Sequence, residues 1–564
     1  MIVRVNVSKG DIVKEAVPGK YALMAGRQLT SQVILDEIAP KSEPLGEDNK
    51  LVIAPGLLAG TSAPNVGRLS VGAKSPLTGG IKESNAGGNV ARKLANLGIK
   101  AIIVEGKPPV HSWYILKMTK DDVALIPGSD LLGVNNFELM NHLRQSYGPK
   151  VGILSIGQAG EMRLNAASIA VSDLEGLPNR HCGRGGLGAV MGAKGIKAVV
   201  IDDRGAHDQL LDIVDRNGFT ETARAWAKSL AETRKGLTQF GTSFLVDVID
   251  NVGGLPTRNF SSGHFEGAEK INAHSLTEFI KERNASAGHP CSPGCVIRCC
   301  NKYNDSEGSY VVSSLEYETI ALMGANLGIA SLDTIAAMNR RCNDYGLDTM
   351  EIGVAIGVAM EAGIAKFGDE TAAQRLIDEI ARGTVLGRVI GQGAAITGRV
   401  FAVRRVPAVK GQAIPGYDPR ALKGTAVTYC TSPMGPDHTA GNCLPGRGGV
   451  DPSRLDGQIK VSRDLQVMSI VLDVMGLCLF VGPMTDSMEV ISQLLTHATG
   501  ENVSVQDVLE IGKSALRTEL RFNKLAGLTR EDDRLPKFFR VEKLPPNDLL
   551  FDIADDDLDE TLSF

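Results

Sequence analysis

Four cysteines set the strongest constraint on how this chain can fold. Cys291, Cys295 and Cys299 follow one another as CxxxCxxxC, and Cys478 lies far downstream. A proline and a glycine interrupt the run, so we expect a loop whose sulfur atoms can point to one centre rather than a regular helix. A [4Fe–4S] cluster needs four thiolates, one for each iron. If these cysteines bind one cluster, two distant segments of the chain must meet in the folded protein.

The spacing also permits two other interpretations. Structural zinc sites use four thiolates as well, although their ligands usually come as two CxxC pairs. Clustered cysteines can also be core residues that bind nothing. In addition, Cys300 follows Cys299 directly, and the spacing does not decide which of the two would be a ligand.

The composition is typical of a globular protein with more than one domain. At 564 residues the chain is too long for a single core, and 43% of its residues are hydrophobic and 22% charged. The net charge of −5 argues against nucleic acid as the main partner. Nine cysteines and a start without an export signal favour a reducing cytoplasm over disulfide bonds. The most apolar stretch, 465–482, carries Asp473, so we expect a buried helix rather than a membrane span.

The sequence pattern changes from strands to helices along the chain. Up to residue 205, short apolar runs alternate with Gly, Pro and Asn, which predicts strands at 2–7, 51–54, 101–105, 113–118, 151–156 and 198–201. Helical periods follow at 208–228, 331–345, 350–362, 371–380 and within 455–529. Gly346 is expected to end one helix, and a capping-box pattern from Asp348 to Glu351 to open the next. The acidic tail, 545–564, is typical of a solvated, partly disordered end or of a segment that docks a basic partner.

Glycine-rich segments recur in the N-terminal region, at 26–27, 61–70, 85–89 and 183–188, and three of them contain an arginine. Backbone N–H groups and guanidinium groups both bind phosphate. Each segment alone is more often a turn, but together they favour a large phosphorylated cofactor. The segment 183–188 fits GxGxxG. We nevertheless reject a dinucleotide-binding fold, because 189–195 is too short for the helix that such a fold requires.

Two places in the sequence offer acid–base groups. Glu316 and Glu318 would share one face of an extended segment. They are either a surface pair or, given the apolar residues that follow, buried carboxylates with a raised pKa that can act as a general acid or base. His438 follows Asp437 in a turn-rich loop, where it is either a proton shuttle or a plain exposed histidine.

The chain resembles the aldehyde:ferredoxin oxidoreductases, which are tungsten or molybdenum enzymes with two pterin cofactors. The resemblance spans nearly the whole chain and is carried by motifs at 60–64, 74–79, 183–192, 255–260, 316–318, 324–329, 346–349, 417–420 and 473–478. It implies an α+β fold, in which a β-rich base domain, 1–205, is followed by two mainly α-helical domains, 206–410 and 411–564. These domains would enclose the cofactor.

The resemblance also implies roles for individual residues. The ligands of the [4Fe–4S] cluster would be Cys291, Cys295, Cys299 and Cys478. Glu318 and His438 would be the catalytic acid–base groups beside the metal. The bis-pterin and its phosphates would be bound by Arg68, Asn85, Gly87, Arg184, Gly185, Asp348, Asp473 and Leu477. A magnesium ion would bridge the two phosphates, held partly by backbone carbonyls near Asn85 and Gly185.

The chain departs from the family pattern at four places. The best-known members space their first two cluster cysteines as CxxC, and the alignment here selects Cys299 over its neighbour. Asn343 replaces an aspartate that contacts a pterin, and Ala440 replaces a lysine that can follow the catalytic histidine. Ala337 and Arg340 replace an ExxH pair that binds an interfacial metal in some members, so no such metal is expected here.

The implied activity is oxidation of an aldehyde to the carboxylic acid, with electrons passed through the cluster to ferredoxin or an Fe–S electron-transfer subunit. Tungsten and molybdenum are not distinguished, because pterin sulfurs rather than side chains bind the metal. Two alternatives remain open. One is a catalytic subunit that reduces aromatic acyl-CoA or carboxylates with low-potential electrons, and the other is a non-catalytic scaffold or electron-transfer subunit. A homodimer or a hetero-oligomer is expected.

Overall fold

Two mixed sheets of six strands each dominate the first 205 residues. The computed structural model describes residues 1–564. The strands here are β1 (Ile2–Asn6), β2 (Asp11–Glu15), β3 (Leu51–Pro55), β4 (Leu69–Lys74), β5 (Ile81–Ala86), β6 (Ala101–Glu105), β7 (Tyr114–Met118), β8 (Val123–Pro127), β9 (Gly152–Ser155), β10 (Ile169–Val171), β11 (Arg180–Cys182) and β12 (Ile196–Ile201). The helices are α1 (Gly26–Glu37), α2 (Val90–Asn96), α3 (Asn136–Tyr147), α4 (Gln158–Glu161) and α5 (Leu187–Ala193).

The order of the first sheet is β2-β1-β6-β3-β4-β5 and that of the second is β11-β10-β9-β12-β7-β8. Only the pairs β1–β6 and β7–β12 are parallel. The inner strands β3 and β6 are nearly continuous runs of buried apolar residues, as expected for strands covered on both faces. One apolar cluster, which includes Val71 and Val199, joins the two sheets.

Strand β5 lies at the edge of its sheet and carries the polar sequence Ile-Lys-Glu-Ser-Asn-Ala. Despite that polarity the strand is almost entirely buried. An edge strand normally faces solvent or is covered by another element, and here the helical part of the chain covers it. This covered edge forms one wall of the candidate site.

Helices form most of the chain after residue 205. They are α6 (Arg216–Thr233), α7 (Lys235–Phe240), α8 (Leu245–Asn251), α9 (Ala273–Glu282), α10 (Tyr317–Met323), α11 (Leu332–Tyr345), α12 (Thr349–Glu361), α13 (Glu370–Arg382), α14 (Val385–Ile390), α15 (Ala394–Val400), α16 (Lys423–Thr431), α17 (Gln458–Met475), α18 (Thr485–Thr499), α19 (Val505–Ala526), α20 (Phe538–Val541) and α21 (Asp555–Glu560). Three short hairpins accompany them, from β13 (Ala287–His289), β14 (Cys300–Asn301), β15 (Tyr303–Asn304), β16 (Tyr310–Val312), β17 (Ala408–Val409) and β18 (Gln412–Ala413). The largest apolar cluster contains side chains from both sides of residue 410, such as Ile320 and Tyr429. The division of the helical part at residue 410 stays a prediction.

The α+β class and most predicted elements are confirmed. All six predicted strands are present, and α11 to α13 lie where the helical periods placed them. The helix predicted from residue 208 begins at Arg216, because Asp215 caps it by accepting a hydrogen bond from the backbone N–H of Gly218. The 465–482 stretch lies mainly in the buried helix α17, and no single helix of the protein is both long and apolar enough to cross a bilayer.

Two sequence predictions about local structure were wrong. Asp348 caps α12, but Glu351 does not complete a capping box; its carboxylate accepts hydrogen bonds from the backbone N–H groups of Ala394 and Ala413 instead. The acidic tail is not disordered, because Phe551 and other apolar residues near it are buried. Its carboxylates pair with arginines of the preceding segment, in the pairs Arg530–Asp559, Arg534–Asp559 and Arg540–Asp555.

Candidate active site

A cavity of about 320 Å³ lies between β5, the N-terminal ends of α10 and α12, and the loop that follows α16. Its volume is in the range of small-molecule and cofactor sites. Most of the predicted site residues line it, namely Arg68, Asn85, Gly87, Arg184, Cys291, Cys299, Glu318, Asp348, His438 and Cys478. The predicted residues outside the lining are Gly185, Cys295, Asp473 and Leu477.

The two cysteine segments meet on the N-terminal domain. The backbone N–H of Asn65 donates to Gly294 O at 3.0 Å, and Asn65 O accepts from the backbone N–H of Cys478 at 3.0 Å. Gly476, in the left-handed conformation, ends α17 against Gly56; a Cβ on Gly56 would lie 2.1 Å from Gly476 Cα. This backbone contact is possible only between glycines. The segment 56–68 therefore holds both cysteine segments together.

All four predicted cluster ligands are buried, and Cys291, Cys295 and Cys299 belong to one apolar cluster that also contains Leu477, next to Cys478. N–H groups point at two of their sulfur atoms. Cys295 Sγ receives the backbone N–H of Arg298 at 3.4 Å, and Cys478 Sγ receives that of Phe480 at 3.5 Å. Arg68 donates to Cys478 Sγ at 3.8 Å. Hydrogen bonds to sulfur are among the features that set the potential of iron–sulfur clusters, so this donor set fits one.

The geometry also bears on the type of metal centre. No three Cys, His, Asp or Glu side chains are arranged to hold a single metal ion. A single zinc ion requires such a compact arrangement, whereas a four-iron cluster takes one thiolate at each of four separate irons. The assignment of these four cysteines to a [4Fe–4S] cluster stays a prediction.

Cys299 and Cys300 face different neighbours. Burial lowers the pKa of the Arg68 guanidinium, but Cys478, Cys291 and Cys299 together raise it above its ordinary value. Burial likewise lowers the pKa of Arg180, and there Cys300 gives the largest opposing contribution. Cys299 therefore lies on the side of Arg68 and Cys478, and Cys300 on the side of Arg180. Cys300 also contacts Cys291 and Cys299, but Cys299 is the one of the two that acts on Cys478, which favours Cys299 as the third ligand.

Buried polar atoms without hydrogen-bond partners also line the cavity. Glu83 Oε1 and Arg180 Nε are buried and make no hydrogen bond. Buried polar atoms are normally paired, so these two fit a cavity that receives a polar cofactor. Gly87 adds room beside the cysteines, since a Cβ there would lie 3.2 Å from Cys291 Sγ. Arg180 is a site residue that the sequence prediction missed, although it stands only four residues before Arg184.

Arg184 binds protein groups rather than facing the cavity with free donors. Its guanidinium donates to Asp348 at 3.2 Å, to Glu351 at 3.5 Å, and to the backbone oxygens of Pro436 and Ala413 at 2.7 and 2.8 Å. A guanidinium has five N–H donors, so little of it is left for a phosphate. Arg184 thus joins the β-rich domain to the helical part of the chain.

Asp473 belongs to a buried network behind the cavity wall. It accepts hydrogen bonds from Asn85 Nδ2 at 3.0 Å and from Arg27 at 3.1 Å, and Arg27 also pairs with both carboxylate oxygens of Glu519 at 2.9 Å. Burial raises the pKa of Asp473 to about 6, although Arg27 opposes this effect. Asp473 therefore reaches the cavity through Asn85 and Arg27, which both line it.

Glu318 is a buried carboxylate in the first turn of α10. The segment is helical rather than extended, and Glu316 is its N-cap residue. Glu318 Oε2 accepts the backbone N–H of Gly416 at 2.7 Å, while Oε1 has no partner. Burial raises the pKa of Glu318, and the nearby His438 reduces this shift without cancelling it. Its free oxygen is available to a bound molecule.

His438 lies near Glu318 on the loop after α16. Its side chain is 30% exposed, and its Nδ1 is 3.3 Å from Asp437 Oδ1 but outside hydrogen-bond geometry. Asp437 is itself held by Lys82 Nζ at 2.9 Å. Burial lowers the pKa of His438, but Glu318 and Asp437 together raise it above its ordinary value. The cavity thus contains a carboxylate and an imidazole whose pKa values are both shifted upward, which suits acid–base chemistry.

Comparison with known protein families follows the two parts of the chain. Residues 2–203 match the family model for the aldehyde ferredoxin oxidoreductase N-terminal domain, and residues 219–563 match the model for domains 2 and 3 of aldehyde ferredoxin oxidoreductase. Together these matches cover nearly the whole chain.

Individual relatives are also similar over nearly the whole chain. The chain is 33% identical to the tungsten-containing aldehyde ferredoxin oxidoreductases of Thermococcus kodakarensis and Pyrococcus horikoshii, over 96% of its own length and 91% and 92% of theirs. It is 26% identical to the aliphatic sulfonate oxidoreductase, WOR-like subunit, of Pyrococcus furiosus, over 75% of its own length and 72% of that protein. Among solved structures, the active site complex BamBC of benzoyl coenzyme A reductase with 1,5-dienoyl-CoA has a TM-score of 0.82. That match covers 99% of this chain and 92% of that chain at 19% identity, which shows a shared fold.

Proposed function

Because this chain belongs to the aldehyde ferredoxin oxidoreductase family, we propose that it oxidises an aldehyde to the carboxylic acid at a tungsten or molybdenum bis-pterin centre. Electrons would leave through a [4Fe–4S] cluster. The observation that carries this proposal is one cavity bordered by Glu318 and His438 and by three cysteines of the predicted cluster. An acid–base pair and an electron exit are the two functions that such an oxidation needs from the protein.

The residues present fit these cofactors. Cys291, Cys295, Cys299 and Cys478 would bind the cluster, and Arg68, Arg180 and the 85–88 segment would hold the pterins with their phosphates and magnesium. Asp348 would accept hydrogen bonds from the pterin rings directly, and Asp473 would act on the rings through Asn85. Arg184, Gly185 and Leu477 would support this wall of the cavity. When bound, the metal centre would take up the two electrons of the oxidation. The protein supplies orientation and proton handling.

Glu318 and His438 have complementary roles in this proposal. Oxidation of an aldehyde adds one oxygen from water to the carbonyl carbon and releases two electrons and two protons in forming the acid. Glu318, as the carboxylate, would accept a proton from the attacking water through its unpaired Oε1. His438, in its protonated form, would donate a hydrogen bond or proton to the carbonyl oxygen, while Asp437 and Lys82 hold its loop in place.

The shifted pKa values predict a bell-shaped pH dependence. Glu318 must be ionised to accept a proton, and its raised pKa moves the acidic limb above the ordinary value of about 4.3. His438 must be protonated to donate, and its raised pKa moves the alkaline limb above the ordinary value of about 6.5. The two limbs belong to the interacting pair. Measured kcat/KM against pH with a dye acceptor should show both limbs, and His438→Gln should remove the alkaline one. An unchanged alkaline limb in that variant would assign it to another group.

We propose that the electron acceptor, ferredoxin or an Fe–S subunit, docks near Cys295. Cys295 is the one predicted ligand that does not line the cavity, and its neighbours Gly294 and Arg298 are exposed. A homodimer or a hetero-oligomer with this subunit stays a prediction. Arg298→Glu should raise the KM for an acidic ferredoxin by roughly 3- to 10-fold at low salt and weaken the rise of that KM with salt, because it replaces an attractive charge at the rim of the contact by a repulsive one. The KM for a small viologen dye should not change, and Lys9→Glu, on the exposed β1–β2 turn, is the matched control. Equal effects on both acceptors would place the docking site elsewhere.

The direct test of the proposed function is metal analysis of anaerobically purified protein, together with a panel of aldehydes and a viologen acceptor. Iron, tungsten or molybdenum, and extractable pterin should all be found, and at least one aldehyde should be oxidised. Iron without tungsten or molybdenum would favour a non-catalytic electron-transfer subunit. Reduction of an aromatic acyl-CoA, with no aldehyde turnover, would favour the acyl-CoA alternative.

A further inference from the structure

Arg447 is an arginine of the cavity lining without an anionic partner. Three of the other lining arginines pair with carboxylates, Arg27 with Asp473, Arg180 with Glu316 and Arg184 with Asp348, and Arg68 donates to the sulfur of Cys478. Arg447 makes one side-chain hydrogen bond, from NH1 to the backbone oxygen of Asn442 at 3.2 Å. Burial lowers its pKa, as expected for a cation removed from water without a counter-ion.

Asn442, beside it, is the second polar group without a full set of partners. The residue is 4% exposed, it lines the same cavity, and its Oδ1 makes no hydrogen bond. A turn of the amide about its last bond would exchange this oxygen for an N–H₂ donor. Arg447 and Asn442 together therefore offer donors to one group inside the cavity.

Arg447 and Asn442 lie on the side of the cavity that holds Glu318 and His438. Tyr417 lies between them, since both Glu318 and Arg447 act on its hydroxyl, and all of these residues line the cavity. The side chains of Leu245, Leu444 and Phe480 contribute apolar surface to the same lining. A molecule with its reacting carbon at Glu318 and an apolar chain could therefore place an anionic end at Arg447.

We infer that the substrate is an aldehyde that carries a carboxylate at its other end, an oxo acid, and that Arg447 with Asn442 binds this carboxylate. A guanidinium binds a carboxylate through two parallel hydrogen bonds. Coenzyme A also has anionic groups, but its several phosphates would need several free cations. The neighbouring Arg234 bonds the backbone oxygens of Phe480 and Val481 and does not line the cavity, so a single carboxylate is the better match. This inference rests on the proposed function.

The test compares matched substrates that differ only in the charged end. Unbranched oxo acids of three to six carbons and the corresponding unbranched aldehydes are assayed with a viologen dye on the wild-type holoenzyme and on Arg447→Gln and Arg447→Lys. Arg454→Gln, which changes an exposed arginine of the same loop, is the control.

At least one oxo acid should have a lower KM than its uncharged partner. Arg447→Gln should raise the oxo-acid KM by roughly 10- to 100-fold, the effect of losing one charge-assisted pair, and change the KM of the uncharged aldehydes by less than about 3-fold. Arg447→Lys should lie between.

Calorimetric binding of the product-like dicarboxylate succinate and of an aromatic acyl-CoA provides a readout that does not need turnover. Succinate should bind the wild type and bind Arg447→Gln more weakly by a similar factor. No preference for any oxo acid, or equal KM changes for charged and uncharged aldehydes, would overturn the inference while leaving aldehyde oxidation intact. Acyl-CoA binding that depends on Arg447, without succinate binding, would assign the site to phosphate. If no aldehyde is oxidised, the proposed function fails, and the succinate measurement still decides whether Arg447 binds a carboxylate.

Discussion

Glu318→Gln is expected to lower kcat for aldehyde oxidation by roughly 10²- to 10⁴-fold, the usual contribution of a positioned general base. Glutamine has nearly the same shape as glutamate and can still accept the backbone N–H of Gly416, so the helix start should be preserved. It cannot accept a proton from water. The iron, tungsten or molybdenum and pterin contents should equal those of the wild type, because Glu318 is not among the predicted ligands.

Glu316→Gln is the matched control for this variant. Glu316 is two residues away and also borders the cavity, but its side chain is one-third exposed and its carboxylate accepts a hydrogen bond from Thr242 at 2.6 Å. We expect it to retain activity within about 10-fold of the wild type, since it lacks both the burial and the free oxygen of Glu318. Full activity of Glu318→Gln with normal metal content would remove Glu318 from the proton-transfer role.

Glu318 and His438 could be proposed as acid–base groups from the sequence, but their surroundings in the fold could not be predicted. From the sequence, Glu316 and Glu318 would share one face if their segment were extended. In the structure Glu316 stands at the N-cap position of α10 without a side-chain capping bond, and Glu318 lies in the helix, where the following residues, 319–323, are all buried. The Lys82–Asp437 pair, which holds the histidine loop, joins residues 355 positions apart. Local patterns do not indicate such contacts.

Strands and helices were predicted more reliably than the use of individual polar residues. The inner strands are runs of Val, Ile and Leu, and Asp348 and Gly346 mark a helix start and end by their own side-chain and backbone chemistry. Arg184, in contrast, stands in a glycine-rich segment typical of phosphate binding, yet its donors bind Asp348, Glu351 and backbone oxygens of the helical part. The sequence shows that such a residue has donors, but the fold decides which acceptors come within reach.

The meeting of the two cysteine segments could be predicted from the sequence, because the [4Fe–4S] cluster predicted for them needs four thiolates. The choice between Cys299 and Cys300 needs the fold. Cys300 belongs to strand β14 and pairs with His289 in the hairpin with β13. The Cys300 sulfur contacts Cys291 and Cys299, whereas Cys299 is the one of the two that acts on Cys478. The effect of Cys299 on Arg68, and of Cys300 on Arg180, agrees with this difference.

Cys299→Ser is therefore expected to lose the cluster, and Cys300→Ser to keep it. Serine is nearly the same size as cysteine, so both variants should fold, but a hydroxyl is a poor ligand for iron compared with a thiolate. Anaerobically purified Cys299→Ser should show a large loss of iron and of the visible absorbance of the cluster, and its dye-linked aldehyde oxidation should fall to background because electrons cannot leave the cavity. Cys300→Ser should match the wild type in iron content and retain most of its activity. Loss of iron in Cys300→Ser with retention in Cys299→Ser would reverse the assignment, and retention in both would show that neither cysteine is a ligand.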